Sequence, residues 1–282
     1  MRYVIIDAAN TFFRARHVAF RASDTWEKVG YALHITLSAV NKVARRFQAD
    51  HVVFALEGRS WRKDHYAPYK RNRTEARAAQ TEREQEEDRV FWETYDQFCT
   101  YLRESTNCSV IRCATAEADD VIGALTLKHG QMLNTGEKIL ILSGDKDFGQ
   151  LQVFGNVTQF DPVRKKHIKH DDPSKFTREL ILKGDRGDGI PNILSPDNSF
   201  VDGIKQKPMR LEKYAHITNP RQELKDELLR NWLRNEQLID LTFIPEDIQT
   251  KVIDEYESQS GKGKDKLFNY FVTNRLSSLM ES

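Results

Sequence analysis

The sequence has little cysteine, no long hydrophobic run and almost no net charge, and each shortage excludes a class of protein. The three cysteines are odd in number and form no paired metal motif, which favours a reducing, cytoplasmic setting. No apolar run approaches the roughly 20 residues of a membrane-spanning helix, and the N-terminus lacks the layout of a signal peptide. A net charge of +1 gives no global sign of nucleic-acid binding, so such a role must rest on local charge.

The order of hydrophobic patterns predicts an α/β fold. Short apolar runs alternate with helical patterns, as in an open, mostly parallel sheet with helices on both faces. The predicted strands are 3–7, 51–56, 108–113 and 138–145, and the predicted helices are about 27–47, 84–105 and 117–133. Ligand sites in such sheets lie beyond the carboxyl ends of the strands.

The pattern becomes mostly helical after about residue 175. The stretch FTRELILKGDRGDGIPNI reads as a helix followed by a turn rich in glycine and proline, and SQSGKGKDK (258–266) as an exposed loop. Further helices are predicted at 221–240, 246–258 and 264–280. We therefore expect an α/β domain at 1–180 and a helical domain at 181–282.

Acidic residues recur where the predicted strands end. These are Asp7, Glu57, the group Glu117, Asp119 and Asp120, the pair Asp145 and Asp147, and, in a later turn, Asp185 and Asp188. Each alone has an ordinary explanation as a helix cap or turn residue. Gathered at one sheet edge, they would repel one another unless cations neutralised them. An oxygen-only set suits Mg²⁺ or Mn²⁺, and its size favours two ions, as in two-metal phosphoryl-transfer sites.

A basic segment, residues 58–79, follows the second predicted strand. Its cations are Arg59, Arg62, Lys63, Lys70, Arg71, Arg73 and Arg77, interleaved with Trp61, Tyr66 and Tyr69. Cations beside aromatic rings suit phosphates and unstacked bases, whereas the ordinary alternative is a solvated surface helix. Because the segment starts next to Glu57, it can overhang the acidic edge. We therefore interpret it as a nucleic-acid contact.

The ordered motifs resemble the 5′ nuclease family of flap endonucleases and 5′→3′ exonucleases. The matching stretches are IIDAAN, YKRNR, AEADD, SGDKDFGQL and KGDRGDGIPNI, which cover roughly residues 1–205. The late LIDLTFIPEDI makes the chain look closest to the ribonuclease H branch of T-even bacteriophages. The resemblance implies a PIN-like core, a helical arch at about 58–95, and a helix-turn-helix element at about 185–210 that holds duplex DNA.

The family resemblance also implies residue roles. Asp7, Glu117, Asp119, Asp120 and Asp145 would surround one metal, and Asp147, Asp185 and Asp188 a second, partly through water. Asp119 is the least secure of these, because neighbours on a helix point apart. Lys70 and Arg73 would grip the scissile phosphate, so they join Asp120 and Asp145 as catalytic residues. Lys205 and Lys207 would add contacts to nucleic acid beyond the basic segment.

Two departures from the family pattern bear on these roles. Glu57 stands where the family usually has aspartate, so its contact with metal stays open. The glycine-rich PGIGPKTA run is absent, so the duplex-binding turn must differ, and a monovalent cation there stays open too.

The implied activity is cleavage of phosphodiesters near 5′ ends of RNA·DNA and DNA duplexes or flaps. The task would be removal of RNA primers during phage replication in the host cytoplasm, with two Mg²⁺ or Mn²⁺ ions. A monomer is expected, and the resemblance suggests a single-stranded-DNA-binding protein or sliding clamp as a partner. Two alternatives are a PIN-type ribonuclease and a non-catalytic replisome protein that binds branched DNA. The first usually lacks a basic arch, and the second has no reason to keep so costly a charge cluster.

Overall fold

A computed structural model describes residues 1–18, 25–130 and 136–259. The strands are β1 (Arg2–Asp7), β2 (His51–Leu56), β3 (Ser109–Arg112), β4 (Lys138–Leu142), β5 (Val157–Asp161) and β6 (Lys166–Ile168). The first helices are α1 (Ala8–Val18), α2 (Thr25–Phe47), α3 (Arg62–His65), α4 (Arg71–Ala78), α5 (Glu82–Ser105) and α6 (Ala118–Gly130). The later ones are α7 (Pro173–Lys183), α8 (Pro220–Glu223), α9 (Asp226–Ile239) and α10 (Glu246–Ser258), with 3₁₀ helices at Lys146–Val153 and Leu211–Tyr214. The helix predicted at 264–280 and all but the start of the loop at 258–266 lie outside the described residues.

The six strands form one sheet in the order β3-β2-β1-β4-β5-β6. All neighbouring pairs are parallel except β5 and β6, so the predicted open, mostly parallel sheet is confirmed. In register, Ile6 of β1 pairs with Phe54 of β2 and Leu142 of β4. Residues that follow these three strands therefore emerge at the same edge. β5 and β6 were not predicted, because polar side chains interrupt these short strands.

Hydrophobic side chains cover both faces of the sheet. Val4 and Ile6 of β1 point to the face covered by α1, α2 and α5, where Phe12 and Phe91 stack with ring centroids 4.5 Å apart. Ile5 points to the other face, which α6 covers. Full burial of one such side chain stabilises the fold by about 1.5–3 kcal/mol. The alternation along β1 thus fixes which face each strand residue joins.

The C-terminal helices are not packed as a separate layer. Ile248 and Val252 of α10 join the same core cluster as α6. A Cβ atom on Gly123 of α6 would lie 2.6 Å from the end of the Ile244 side chain, so a larger residue would force that side chain to move. A further cluster around Ile181 and Trp232 joins α7 to α9. α7 itself spans the predicted domain boundary at residue 180, and that boundary stays a prediction.

The structure corrects the predicted helix-turn-helix at 185–210. Between α7 and the 3₁₀ helix at Leu211–Tyr214 the chain forms consecutive turns and no α-helix. Proline interrupts helical hydrogen bonding in this stretch, and buried Asn192 holds the turns instead. Its side-chain oxygen accepts from the Leu194 N–H at 3.0 Å, and its amide donates to the Lys207 carbonyl at 2.8 Å.

Within the described ranges, no helix has the length and hydropathy that crossing a membrane requires.

Candidate active site

A cleft of about 830 Å³ lies at the carboxyl edge of the sheet. Its walls carry eight carboxylates, which come from the ends of β1, β2 and β4, the start of α6 and the turn after α7. They are Asp7, Glu57, Glu117, Asp119, Asp145, Asp147, Asp185 and Asp188. Seven of them belong to the predicted metal set, and Glu57 is the residue whose role was left open. The strand register therefore brings the acids together as the sequence predicted.

Asp120 is the predicted ligand that the structure places elsewhere. Its side chain is fully buried and turned away from the cleft, whereas its neighbour Asp119 lines the cleft. The Arg62 guanidinium donates to Asp120 Oδ2 at 3.0 Å and lies 2.8 Å from Oδ1. Asp120 Oδ2 also accepts from the Glu117 N–H at 2.9 Å. The predicted roles of Asp120 as metal ligand and catalytic residue do not fit this geometry, and Asp119 is the better placed of the pair.

Burial and mutual repulsion raise the pKa values of several cleft acids. Burial, with the charge of Glu57, raises the pKa of Asp7 to about 7. Burial and the charge of Asp145 likewise raise the pKa of Asp147 to about 7. The pKa of Asp119 lies well above its usual range for the same reasons, with Asp7 the strongest neighbouring charge. Bound cations would relieve this repulsion.

Glu117 is the one acid of the cleft whose charged form is strongly stabilised. Burial opposes ionisation, but Lys70 and Arg62 lower the pKa of Glu117 to about 2. Its Oε2 accepts hydrogen bonds from Ser60 Oγ at 2.7 Å, Tyr69 OH at 2.8 Å and Arg62 at 3.1 Å. Its Oε1 accepts a bond from Lys70 Nζ. The carboxylate is thereby held in one orientation.

Lys70 connects the basic segment to the turn after α7. Its backbone is left-handed, with φ of 54°, and its N–H donates to the Asp188 carbonyl at 2.8 Å. Lys70 Nζ lies 3.6 Å from Asp188 Oδ2. A Cβ on Gly189, at φ of 74°, would lie 2.7 Å from the Pro68 carbonyl, so glycine permits the close approach. The two segments therefore position the lysine over the cleft together.

Two further cations bridge the acids at the cleft rim. Arg73 lies 2.5 Å from Asp188 Oδ1, and Lys146 lies 3.0 Å from Asp185 Oδ2. Both cations are more than half exposed, so a phosphate could approach them from solvent. Lys146 was not predicted, although its place between Asp145 and Asp147 marks it as a rim residue.

The predicted nucleic-acid contacts divide into exposed and buried residues. The exposed or cleft-lining ones are Arg59, Lys63, Lys70, Arg71, Arg73, Arg77, Lys205 and Lys207. Arg62 and Tyr66 are corrections, because both are buried. Arg62 Nε donates to the Leu238 carbonyl at 2.8 Å, and Tyr66 OH donates to the Asp197 carbonyl at 2.6 Å. Both side chains therefore support the fold instead of meeting a ligand.

Two aromatic residues of the cleft wall were missed in the sequence. Phe13, 41% exposed, and Trp92 line the cleft. Phe12 and Phe13 are adjacent on α1, and adjacent helical residues face different ways. The pair could therefore have indicated one core ring and one ring at the surface.

The donor set fits hard divalent cations. All eight donors of the cleft wall are carboxylates, with no histidine or cysteine among them. The buried Asp147 Oδ1 has no hydrogen-bond partner, so it is available to a cation. Among the described residues, no three acidic, histidine or cysteine side chains are grouped closely enough to surround one ion directly. An all-carboxylate wall suits ions such as Mg²⁺, which keep several waters and are held by few carboxylates.

Comparison with protein-family models agrees with the fold. Residues 2–180 match the model described as 5′-3′ exonuclease, N-terminal resolvase-like domain. Residues 177–282 match the model of the C-terminal region of T4 RNase H. The chain belongs to the 5′-3′ exonuclease family of nucleases, and the resemblance found in its motifs is confirmed.

Individual relatives are similar over most of their length. Ribonuclease H of Enterobacteria phage T4 is 30% identical over 277 residues, which cover 91% of this chain and 87% of that protein. Flap endonuclease Xni of Shewanella putrefaciens is 29% identical, covering 68% of this chain and 69% of its own. The T5 D15 protein co-crystallized with metal ions has a similar fold, with a TM-score of 0.63 at 20% identity. This match covers 92% of the present chain and all of the T5 chain.

Proposed function

We propose that this protein is a Mg²⁺-dependent 5′ nuclease that hydrolyses phosphodiesters near the 5′ ends of RNA·DNA duplexes, DNA duplexes and flaps. Its task would be removal of RNA primers, and some adjoining DNA, from lagging-strand fragments. The observation that carries the proposal is the wall of carboxylates beneath Lys70 and Arg73. The similarity to a phage ribonuclease H, over 91% of this chain, supports the substrate class. It also favours the 5′ nuclease over a PIN-type ribonuclease.

Two divalent ions would be held at the carboxylate wall, with Mn²⁺ as a substitute for Mg²⁺. We assign Asp7, Glu117, Asp119 and Asp145 to one ion and Asp147, Asp185 and Asp188 to the other, partly through bound water, and contact between Glu57 and a metal stays open. When bound, such ions lower the pKa of water and stabilise the charge on phosphoryl oxygens. Solved structures of T5 proteins of similar fold with metal ions, one of them also with DNA, support the use of divalent ions.

The protein's own groups would bind and orient the substrate. Lys70 and Arg73 neutralise charge on the scissile phosphate. This stabilises the transition state most strongly where the cleft excludes water. Phe13 presents a ring on which an unpaired base can stack. Exposed cations of α4 and residues 59–63, with Lys205 and Lys207, bind the phosphate backbone of the duplex. We further propose that residues 1–180 carry most of the chemistry, with Asp185 and Asp188 contributed from the C-terminal part, and that residues 181–282 add to the grip on the duplex, in a monomeric enzyme.

One assay separates this function from its alternatives. Purified protein is incubated with Mg²⁺ and either a labelled 5′ DNA flap or single-stranded RNA. The 5′ nuclease cleaves the flap, whereas a PIN-type ribonuclease prefers the RNA and a non-catalytic protein binds branched DNA without cutting it. Repeating the flap assay with a blocked 5′ end distinguishes exonuclease from endonuclease action. No cleavage of the flap under any of these conditions would refute the proposal.

Lys70→Ala should slow the chemical step more than it weakens binding. We expect kcat to fall on the order of 10²-fold, because a cation at the reacting phosphate acts mainly in the transition state. The matched variant Lys63→Ala, in the same basic segment but exposed, should raise KM with little change in kcat. An effect of Lys70→Ala confined to KM would show that the lysine does not act on the scissile phosphate.

The stabilisation that Mg²⁺ gives should increase with pH. The pKa values of Asp7 and Asp147 are raised to about 7. In the metal-free protein, the stability linked to these groups is present below their unfolded pKa of about 4. It is lost as the pH rises through about 7. The difference in Tm between Mg²⁺ and EDTA should thus be larger at about pH 8 than at about pH 5, and smaller in Asp147→Asn. An equal difference at both pH values would contradict the assignment.

A further inference from the structure

A second concave surface lies on the face of the sheet that α2 covers, with an apolar floor and a basic rim. We call it the basic groove; its volume is about 280 Å³. Its floor is formed by Val43, Phe47, Leu140, Phe160 and Pro162, and its rim by Lys42, Arg46, Lys165 and His167. None of these residues lines the acidic cleft, so the groove is separate from the proposed nuclease site.

The basic rim residues come from two different parts of the chain. Lys42 and Arg46 lie on α2, whereas Lys165 and His167 belong to the β5–β6 hairpin. The helix dipole favours a cation in the last turn of α2, where Arg46 lies. This effect does not explain the other three basic residues of the rim. Lys165 sits in the hairpin turn with a left-handed backbone, at φ of 53°. The His167 ring packs edge-on against Phe160, with centroids 5.1 Å apart. Two independent elements therefore converge their positive charge on one apolar floor.

Three basic residues of the rim have no acidic partner among the described residues. In the part of the chain that the structure describes, no carboxylate forms an ion pair with Lys42, Arg46 or Lys165. Asp50, which follows Arg46 in the sequence, is exposed, and its Oδ2 accepts from the Arg2 N–H at 2.8 Å. Asp161, the acid nearest Lys165 in the sequence, is fully buried, and its Oδ1 accepts from the N–H groups of Val163 and Arg164. It shapes the turn and presents no charge to the groove. A protein with 43 basic and 42 acidic residues thus has a local positive excess here.

We propose that the basic groove binds an acidic peptide segment of a partner protein, with one or two apolar side chains seated on the floor. The apolar floor distinguishes this occupant from nucleic acid, which needs phosphate contacts along an open path and exposed rings for stacking. Carboxylates of the peptide would pair with the basic residues of the rim. This charge complementarity would also increase the rate of association. Exposed ion pairs at the rim contribute little binding free energy. The apolar side chains would contribute more, because they are buried on the floor.

The test uses the full-length protein and fluorescein-labelled peptides, followed by fluorescence anisotropy. The probe is DEDELSIF, with DEDESSSS lacking the apolar residues and KRKRLSIF reversing the charge. We expect micromolar binding of DEDELSIF and at least about tenfold weaker binding of each of the other two, a difference of about 1.4 kcal/mol or more. Lys42→Glu and Arg46→Glu should each weaken DEDELSIF binding by a similar factor. Lys213→Glu, at an exposed lysine outside the groove, should not.

Flap cleavage should be unchanged in Lys42→Glu and Arg46→Glu, because neither residue lines the acidic cleft. The proposal is overturned if the wild-type protein fails to bind DEDELSIF, or if both groove variants bind it normally. Weaker duplex binding in the groove variants, with competition between duplex and peptide, would assign the groove to nucleic acid instead. A concentration-dependent dimer lost in these variants would assign it to a second copy of this chain.

Discussion

Asp119→Asn is expected to lower kcat on the order of 10²–10³-fold, with duplex binding little changed. Asp119 lines the cleft at the start of α6, and its pKa is raised by burial and by the charge of Asp7. Asparagine keeps the shape of the side chain but removes the charge that a divalent cation requires. Asp145→Asn should behave in the same way, because it lines the same cleft from the end of β4. Single-turnover cleavage and filter binding measure the two effects separately.

The control is Asp254→Asn, which removes an exposed carboxylate on α10, outside the cleft, and should leave kcat unchanged. Asp120→Asn offers a sharper contrast, because Asp120 is buried against Arg62 and does not line the cleft. Asp120→Asn should lower the stability of the fold. It should lower activity only indirectly, because Glu117 would be displaced. Wild-type turnover in both Asp119→Asn and Asp145→Asn would contradict the site assignment.

Arg62→Gln is expected to destabilise the fold by about 3–5 kcal/mol, the usual cost of removing one partner from a buried ion pair. The Arg62 side chain is almost fully buried and joins Asp120, Glu117 and the Leu238 carbonyl. Glutamine would leave two buried carboxylates with less compensation. Urea denaturation, followed by circular dichroism, measures the change in the free energy of unfolding.

A double-mutant cycle identifies the source of that loss. Arg62→Gln combined with Asp120→Asn should cost less than the sum of the two single changes, because the residues contact each other directly. The exposed pair of Arg59 and Asp64 supplies the control, since Arg59→Gln should change stability little. Strict additivity of Arg62→Gln and Asp120→Asn would contradict the coupling inferred from their geometry.

The fold could be predicted in part because parallel strands buried on both faces have a strong sequence pattern. Continuous apolar runs such as ILIL marked β4, and the acids follow the carboxyl ends of the predicted strands. β5 and β6 escaped prediction because they are short and their polar side chains follow no strict alternation. The stretch at 185–210 was predicted as helices from family resemblance, and side-chain hydrogen bonds of residues such as Asn192 give turns instead.

The site was predictable as a set of acids but not residue by residue. Charge pattern alone does not show which of two adjacent carboxylates faces a cleft, and the α6 register sends Asp119 outward and Asp120 toward Arg62. Likewise, an arginine in a basic run reads as a surface contact. Arg62 is buried because Asp120, Glu117 and a carbonyl from the end of α9 surround it. Such a pairing depends on contacts between residues up to 176 positions apart.

The most direct test of the central claim is cleavage of a 5′-labelled RNA·DNA duplex with Mg²⁺, with Mn²⁺ and with EDTA. The acidic cleft predicts release of short 5′ products with either metal and none in EDTA, because its carboxylates need divalent cations to act on a phosphodiester. Full activity in EDTA, or none with either metal, would contradict the account.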